Sequence, residues 1–340
     1  MREMKQIPNS NFNSPDSLER AVRLIRSARS PLLACHLAPD GDAIGSTTAL
    51  AQGLHYRGSK PMLFCPDPIP SRYHFLPLAT TFSTQVTAPF DLVVSLDCSD
   101  TDRLRDLPHH PDFHNVPLLN IDHHVTNTNF GSVNLVITNV SSTAEIVYQV
   151  LNALGMPLDT GMATSLLTGV VTDTRGFRTP NVTPAVIETA LRLMQAGASL
   201  PAIIQHTLER RDVATIHLWR QALATVQLQD RLIWASISQD MRRQARYEES
   251  GDAGLVSFLI SADEADVAVV FSEQENGNIE VGMRAKPDYD VSQVAFQLGG
   301  GGHKLAAGCT IPGPLTKVQR QVLERLYPIV AQPVGEQETS

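Results

Sequence analysis

The chain has 340 residues, of which 42% are hydrophobic, and it carries a net charge of −8 at pH 7. This length fits two domains, and the acidic balance argues against a general duplex-binding protein, which would need a broad basic face to neutralise many phosphates. No run of about 18 apolar residues predicts a membrane span, and residues 1–17 lack the apolar core of a signal peptide, so we expect a cytoplasmic protein.

Four apolar runs in the first half of the chain each lead to acidic or histidine residues. Residues 31–34 precede His36, Asp40 and Asp42; residues 92–96 precede Asp97 and Asp100; residues 116–121 precede Asp122, His123 and His124; and residues 166–171 precede Asp173. Each run fits a buried parallel strand or, in the last case, the end of a buried helix. Strands of an open α/β sheet form a ligand crevice at their carboxyl ends, so these residues are expected to converge on a two-metal site.

The remaining pattern predicts an α/β protein with a larger domain followed by a smaller one. Helices are predicted at 43–56, 143–154, 162–171, 184–196, 201–207, 213–228 and 291–298, and further strands at 61–65, 232–237, 267–271 and 279–283. Ser142 and Glu145 suggest a capping box, and Asn276-Gly277 a hairpin turn. The four cysteines, Cys35, Cys65, Cys98 and Cys309, contain no C-x-x-C pair, which predicts buried thiols and argues against a disulfide framework or structural zinc.

Five motifs occur in a fixed order. They are H-x-x-x-D-x-D from His36, D-x-S-D from Asp97, D-H-H from Asp122, T-D-T-x-x-F-R from Thr172 and G-G-G-G-H-x-x-A-A-G from Gly299. Together they resemble the DHH phosphoesterase family over residues 17–328, and within it the bacterial branch that degrades nano-RNA and dephosphorylates 3′-phosphoadenosine 5′-phosphate (pAp). One motif alone would be weak, whereas five in order are specific.

This resemblance implies a parallel-sheet catalytic domain with helices on both faces and a smaller α/β substrate-binding domain. The catalytic domain is expected at 17–208, a helical linker at 209–229, the glycine-rich substrate-binding domain at 230–330 and a disordered tail at 331–340. The two domains are expected to enclose a substrate cleft.

The resemblance also implies roles for the clustered residues. His36, Asp40 and Asp97 would hold one divalent cation, and Asp42, Asp97, His123 and Asp173 a second, with Asp97 as the bridge. His124 would face the substrate phosphate as a proton or hydrogen-bond donor, and Asp122 would fix the tautomer of an imidazole. Carboxylates and imidazoles without thiolates favour manganese, with magnesium or cobalt as alternatives. Two such ions neutralise phosphoryl charge, generate hydroxide and support the leaving oxygen.

Further residues are candidates for substrate binding. The arginines are Arg103, Arg178 in the T-D-T-x-x-F-R match, and Arg284 after the strand at 279–283; the glycine-rich loop adds Gly300, Gly301, Gly302 and His303. Successive glycines cost backbone entropy and are kept where φ is positive or a ligand approaches closely. Exposed N–H groups of such a loop suit a phosphate or a nucleobase. Arg175 departs from the small residue usual in its motif, which leaves the shape of that loop and the substrate preference open.

Several of these features also have simpler explanations. A D-G-D sequence is often an Asx turn, Asp100 and Asp102 could cap a loop, Arg103 could form an exposed ion pair, and the glycine run could be a flexible turn. The cluster of His109, His110, Asp112 and His114 precedes its strand among prolines, so it is interpreted as a polar surface loop. Arg242, Arg243 and Arg246 are interpreted as a solvated helix face.

The leading hypothesis is a two-metal hydrolase that converts short RNA or DNA oligonucleotides to mononucleotides and pAp to AMP. The alternatives are a cyclic or linear dinucleotide phosphodiesterase, an inorganic pyrophosphatase, and a non-catalytic nucleotide-binding protein. No membrane partner is expected, and a homodimer is an open alternative to a monomer.

Overall fold

The computed structural model describes residues 15–331, which divide into two compact units between Arg210 and Arg211. The predicted tail lies outside the described residues except for Ala331, which ends the last helix. Within residues 15–331, no helix combines the length and the apolar character needed to cross a membrane.

The first unit is built on a parallel sheet. Its elements are α1 (Pro15–Ser27), β1 (Pro31–Cys35), α2 (Gly41–Tyr56), β2 (Met62–Phe64), β3 (Leu92–Leu96), β4 (Leu118–Asp122), β5 (Val133–Val136), α3 (Thr143–Ala153), α4 (Thr160–Asp173), α5 (Pro184–Gln195) and α6 (Leu200–Ile204), which continues into a π-helical turn at Gln205–Glu209. The strands lie in the order β2-β1-β3-β4-β5, and all neighbours are parallel. Every residue of β1, β3 and β4 is buried, which explains why these strands are mainly apolar; Ser95, Asn120 and Asp122 are the buried polar exceptions.

The two faces of this sheet are covered differently. Leu33 and Val94 contribute to the core shared with the α-helices, whereas Leu32 and Val93 pack with Phe113 and other residues from loops. The predicted parallel α/β fold is confirmed, but the helices between β3 and β4 are short 3-10 turns. Several prolines lie in this segment, and they prevent the formation of a longer helix.

Glycines allow α2 and α4 to pack closely. A methyl group at Gly45 would lie 2.3 Å from the carbonyl oxygen of Ser165, and one at Gly169 would lie 2.5 Å from Oδ1 of Asp42. This approach places Asp42, in the first turn of α2, beside Asp173 at the end of α4.

The second unit contains a mixed sheet. Its elements are α7 (Val213–Leu223), β6 (Gln227–Gln229), β7 (Leu232–Ile237), α8 (Gln239–Ala245), α9 (Leu255–Leu259), β8 (Val267–Glu273), β9 (Asn278–Ala285), α10 (Ser292–Gln297), β10 (Gly301–His303), β11 (Ala306–Pro312) and α11 (Leu315–Ala331). The strand order is β10-β11-β9-β8-β7-β6, and only β7 and β8 are parallel. Buried residues of α10 and α11 form one core, and those of α7, α8 and α9 form another.

The start of the second unit and its hairpin turn are predicted from local sequence patterns. The helix predicted at 213–228 ends at Leu223, and Gln227–Gln229 pairs with β7 as an edge strand. Within the segment predicted as a linker, Leu218 and Ala222 of α7 are buried in a core of the second unit. The turn at Asn276-Gly277 is confirmed, with Gly277 at φ +81°.

Two further predictions concern buried side chains. All four cysteines are free and buried, as predicted. Arg242 is not on a solvated face: it is buried and donates hydrogen bonds to the carbonyl oxygens of Glu249 and Gly251. Burial lowers its pKa, and these carbonyls replace the water that its guanidinium loses.

We predict that Gly45→Ala destabilises the protein by about 1–3 kcal/mol, because the added methyl group would collide with backbone in a packed core. This loss should appear although alanine has the higher helix propensity. The matched control is Gly53→Ala in the same helix, whose methyl group would collide with Cδ2 of Leu151, the end of a side chain that can rotate, and would meet no backbone atom among its nearest neighbours. Urea unfolding provides the measurement, and equal midpoints for the two variants would contradict the packing argument.

Candidate metal centre

The candidate centre lies where three neighbouring strands end. His36 follows β1, Asp97 follows β3 and Asp122 closes β4. From β1 the chain proceeds to β2 on one side, whereas β3 leads to β4 and β5 on the other. The site therefore occupies the switch point of the parallel sheet, where the connections leave a crevice at the carboxyl ends.

The structure brings together all six predicted metal ligands and His124. Three groups have ligand atoms within 4.8 Å of one another: His36, Asp40 and Asp97; Asp42, His123 and Asp173; and Asp97, His123 and His124. Asp97 and His123 each belong to two groups, so the three groups form one continuous cluster. The first group matches the predicted first cation set. The predicted second set does not form a single group. Asp42, His123 and Asp173 lie together, and Asp97 lies close to His123 in the third group.

Asp97 lies at the centre of the cluster. Its Oδ2 is 3.6 Å from Nε2 of His36, and its Oδ1 is 3.7 Å from Nε2 of His123. Thr143 donates a hydrogen bond of 2.9 Å to Oδ1. Burial alone would raise the pKa of Asp97, but the imidazoles outweigh it and hold the pKa well below its usual range. The backbone of Asp97 has φ +58°, a conformation that Asp and Asn tolerate better than most residues.

Asp42 is held by the start of α3. Its Oδ2 accepts from the backbone N–H of Thr143 at 2.6 Å, and its Oδ1 from that of Ala144 at 2.9 Å. Both amides belong to the first turn of the helix, whose dipole favours an anion. Burial and the neighbouring carboxylates Asp97 and Asp173 nevertheless raise the pKa of Asp42 well above its ordinary value. A cation at this position would counter that repulsion.

This arrangement corrects the predicted capping box. Ser142 occupies the N-cap position, but its side chain makes no capping hydrogen bond. Glu145 accepts from the backbone and hydroxyl of Ser141 at 2.6 and 2.7 Å, not from Ser142. The carboxylate of Asp42 comes from a distant part of the sequence, so local spacing could not reveal that it replaces the serine cap.

His124 and Asp122 form a dyad. Nδ1 of His124 lies 2.7 Å from Oδ1 of Asp122, whose Oδ2 accepts from Asn127 at 2.5 Å. With a proton on Nδ1, His124 donates to this fully buried carboxylate, and its Nε2 takes no part in the contact. The hydrogen bond to Asp122 is the main cause of the raised pKa of His124. This contact is what the proposed tautomer-fixing role of Asp122 requires.

His36 has two competing contacts at Nδ1. The carbonyl oxygen of Leu37 lies at 2.7 Å and Nη2 of Arg103 at 2.8 Å. A protonated Nδ1 donates to Leu37, whereas only an unprotonated Nδ1 can accept from Arg103. Because an imidazole that binds a cation through Nε2 carries its proton on Nδ1, the Leu37 contact is the one compatible with metal binding.

The other acidic candidates also have defined positions. Asp40 is half-exposed and caps α2 by accepting from the amides of Asp42 and Ala43, each at 3.0 Å. Oδ2 of Asp173 lies 3.2 Å from Nε2 of His123. Asp100 caps the 3-10 turn after β3, as one alternative predicted.

The remaining candidates lie outside the cluster. Arg178 is exposed and donates to the carbonyl oxygen of Arg175 at 2.7 Å. Arg284, Gly300, Gly301, Gly302 and His303 belong to the second unit. In the described part of the chain, no member of the set His109, His110, Asp112 and His114 belongs to a group that could hold a metal.

The sequence pattern does not indicate two neighbours of the site, Thr143 and Asn127. Thr143 is predicted only as the start of a helix, and Asn127 carries no recognisable signal. Their contacts with Asp97 and Asp122 depend on how α3 and the loop after β4 fold back onto the sheet.

The donor set fits hard or borderline divalent cations. It contains four carboxylates and two or three imidazoles. Cys35, the last residue of β1, is close in sequence but packs in an apolar cluster with Ala43 and Cys65. Oxygen and nitrogen donors of this kind suit manganese, magnesium or cobalt. Cations would also offset the repulsion between carboxylates at the centre of the cluster.

We predict that binding of a divalent cation releases at least about one proton near neutral pH. Burial lowers the pKa of His123, but the hydrogen bond to Asp173 and the charges of Asp97 and Asp42 outweigh it and raise the pKa to about 10. Because this pKa exceeds the unfolded value of 6.5, the proton stabilises the fold fully below pH 6.5, and this contribution is lost as the pH rises toward 10. A cation must displace that proton, so its affinity should rise with pH over the same range.

Titration calorimetry of Mn²⁺ binding in buffers with different ionisation enthalpies counts the released protons. His114→Ala is the matched control, because His114 is exposed and lies outside the cluster. Affinity that does not change with pH would contradict the assignment of His123.

Comparison with known proteins identifies the scaffold. Residues 32–170 match the model of the DHH family N-terminal domain, and residues 243–330 match that of the DHHA1 domain. A bifunctional oligoribonuclease and PAP phosphatase of Thermus thermophilus is 32% identical over 316 residues, which cover 91% of this chain and 93% of the relative. A protein of the same name from Bacillus subtilis is 26% identical over 308 residues, covering 85% and 92% of the two chains.

Solved structures agree on the fold. An exopolyphosphatase-related protein from Bacteroides fragilis has a TM-score of 0.86 at 20% identity, over 94% of this chain and 98% of that one. RecJ from Thermus thermophilus in complex with Mn²⁺ has a TM-score of 0.60 at 17% identity, over 96% of this chain and 56% of that one. With both domain models matched and a relative above 30% identity along nearly its whole length, the resemblance is confirmed: the chain belongs to the DHH phosphoesterase family, in the branch of the bifunctional oligoribonucleases and PAP phosphatases.

Proposed function

We propose that the protein is a two-metal phosphoesterase that hydrolyses short oligonucleotides to mononucleotides and pAp to AMP. The observation that carries this proposal is the continuous cluster in which Asp97 and His123 link three potential metal-binding groups. The DHHA1 match and the names of the two curated relatives support the nucleotide substrates. The acidic net charge supports a short substrate over a long nucleic acid.

Six residues would hold the cations. His36, Asp40 and Asp97 would bind one, and Asp42, Asp97, His123 and Asp173 the other, with Mn²⁺ as the proposed ion and Mg²⁺ or Co²⁺ as alternatives. When bound, two such cations would neutralise the charge of the phosphoryl group and lower the pKa of water, so that a hydroxide nucleophile is present at neutral pH. The amides of α3 keep Asp42 oriented, and Thr143 does the same for Asp97, so the ligands are positioned before substrate arrives.

His124 and Arg103 would act on the phosphate. The hydrogen bond to Asp122 raises the pKa of His124 and so favours its protonated form, whose Nε2 would donate a proton to the leaving oxygen. Arg103 loses its acceptor on His36 when Nδ1 of that residue carries the proton, and its guanidinium then becomes available to a phosphate oxygen. Arg178 is exposed on the loop after α4 and would add a second cationic contact.

The second unit would bind the nucleotide portion of the substrate. Arg284 pairs in register with Ala306, the first residue of β11, and Ala306 also pairs with His303, which is exposed on β10. We assign both to substrate binding together with Gly300, Gly301 and Gly302. This assignment separates chemistry in the first unit from recognition in the second.

The first test of this function is a substrate panel with Mn²⁺ that contains pAp, an RNA dinucleotide, five-residue RNA and long single-stranded DNA. We predict turnover of the three short substrates and little of the DNA. Asp97→Asn should lower each activity by more than about a hundredfold, since loss of groups that merely orient metal ligands already costs about 10–100-fold. Asparagine keeps the volume and the positive φ of Asp97, so circular dichroism should show an intact fold. Dominant activity on long DNA, or intact turnover by Asp97→Asn, would overturn the proposal.

The second test concerns the proton on His124. Asp122→Asn should move the alkaline limb of the pH–rate profile for pAp to lower pH by about one unit, because an adjacent carboxylate raises an imidazole pKa by such amounts. His124→Gln should remove most turnover while metal content is retained. Asp112→Asn, an exposed carboxylate outside the cluster, is the control. An unchanged alkaline limb in Asp122→Asn would rule out His124 as the proton donor.

A further inference from the structure

The four glycines at 299–302 differ in what the fold demands of them. Gly299 and Gly302 have φ of +80° and +138°, which disfavour any residue with a side chain. A methyl group at Gly300 would lie 2.1 Å from the carbonyl oxygen of Gly308. Gly301 has neither constraint, because its φ is not positive and a methyl group there would meet nothing within 4 Å. The backbone therefore explains three glycines and leaves Gly301 unexplained.

Gly301 lines a pocket of the second unit with a volume of about 320 Å³. We call it the Phe296 pocket; its lining consists of Ser292, Gln293, Phe296, Gly301 and Gly302. Phe296, on α10, is 77% exposed, the highest value among the large hydrophobic residues described. A pocket lined by an exposed aromatic ring and by two residues without side chains has room for a flat group.

The chemistry of the lining decides which part of a nucleotide fits. None of the five residues carries a charge, so the pocket lacks the cationic groups that hold a phosphate. The hydroxyl of Ser292 is already bound to Asp290, whereas the amide of Gln293 is exposed. β10 pairs only with β11 and is an edge strand, so backbone polar groups on its outer side can meet the polar edge of a base.

We propose that the Phe296 pocket receives a nucleobase of the substrate, which stacks on the ring of Phe296 against the bare backbone of Gly301. This inference rests on the proposed function and adds to it the means of base recognition. Stacking on an aromatic ring accepts every base, because each base has a π-face. The pocket would thus let one site act on short oligonucleotides of any sequence.

The test compares pAp with ribose 3,5-bisphosphate, which has the same phosphates but no base. Phe296→Ala should raise KM for pAp and for RNA dinucleotides by about five- to 150-fold, the range expected for loss of base–aromatic stacking. The same variant should leave hydrolysis of ribose 3,5-bisphosphate unchanged, and Phe296→Trp should retain pAp binding. The control is Phe258→Ala, since Phe258 is 49% exposed in the same unit and lies against Trp219.

Gly301→Val provides an independent test. Valine suits a strand and would extend into open space, so its thermal midpoint should match that of the wild type. Its side chain would occupy the pocket and weaken pAp hydrolysis while sparing ribose 3,5-bisphosphate. Equal losses on the two substrates, or no loss in either Phe296→Ala or Gly301→Val, would overturn the proposal.

A binding measurement separates this inference from the proposed function. The fluorescence of 2-aminopurine riboside 5′-monophosphate should be quenched by the wild type through stacking, and not by Phe296→Ala. If the wild type hydrolyses neither pAp nor short oligonucleotides, the proposed function fails, yet quenching that depends on Phe296 would still support the pocket. Quenching that is identical in the two proteins would reject the pocket even if the enzyme is active.

Discussion

The repulsion between carboxylates gathered at one edge of a buried sheet is the constraint on which the rest of the structure depends. Five of them meet there: Asp40, Asp42, Asp97, Asp122 and Asp173. An unpaired buried charge is too costly to retain, so each must be offset by donors or by opposite charge. Backbone amides at helix N-termini donate hydrogen bonds to Asp40 and Asp42. Imidazoles lie beside the other three carboxylates, Asp97, Asp122 and Asp173. Two divalent cations would add four positive charges to a site that is otherwise rich in acid.

This constraint joins the catalytic chemistry to the packing of the first unit. Asp42 is at once a candidate metal ligand and the cap of α3, and its position depends on the close approach of α2 and α4 at Gly45 and Gly169. A residue that satisfies helix amides cannot move freely toward a ligand. The cluster is therefore held rigidly by secondary structure, as expected for a site whose ligands must be oriented before binding.

The sequence predicts that the candidate residues converge because one simple rule governs parallel sheets. Acidic residues that follow buried apolar runs, such as Asp97 after β3, converge at the carboxyl edge whatever their separation along the chain. Contacts that depend on tertiary packing could not be predicted in this way. The cap supplied by Asp42, the contact of Thr143 with Asp97 and the competition of Arg103 for His36 all join segments more than 40 residues apart in the chain. The end of α7 at Leu223 was missed because the pairing of β6 with β7 overrides local helix propensity.

The glycine-rich loop illustrates the same division between pattern and packing. The motif alone predicts that several glycines are needed, but not whether the backbone or a ligand needs each one. Positive φ accounts for Gly299 and Gly302, and close backbone approach accounts for Gly300, so Gly301 is the one glycine of this run that the backbone does not explain. Each proposal therefore rests on its own unit: the phosphate is assigned to the charged cluster of the first unit, and the base to the uncharged space beside Phe296 in the second. These are the two kinds of surroundings that the two parts of a nucleotide need, because a phosphate is charged and a base has an uncharged aromatic face.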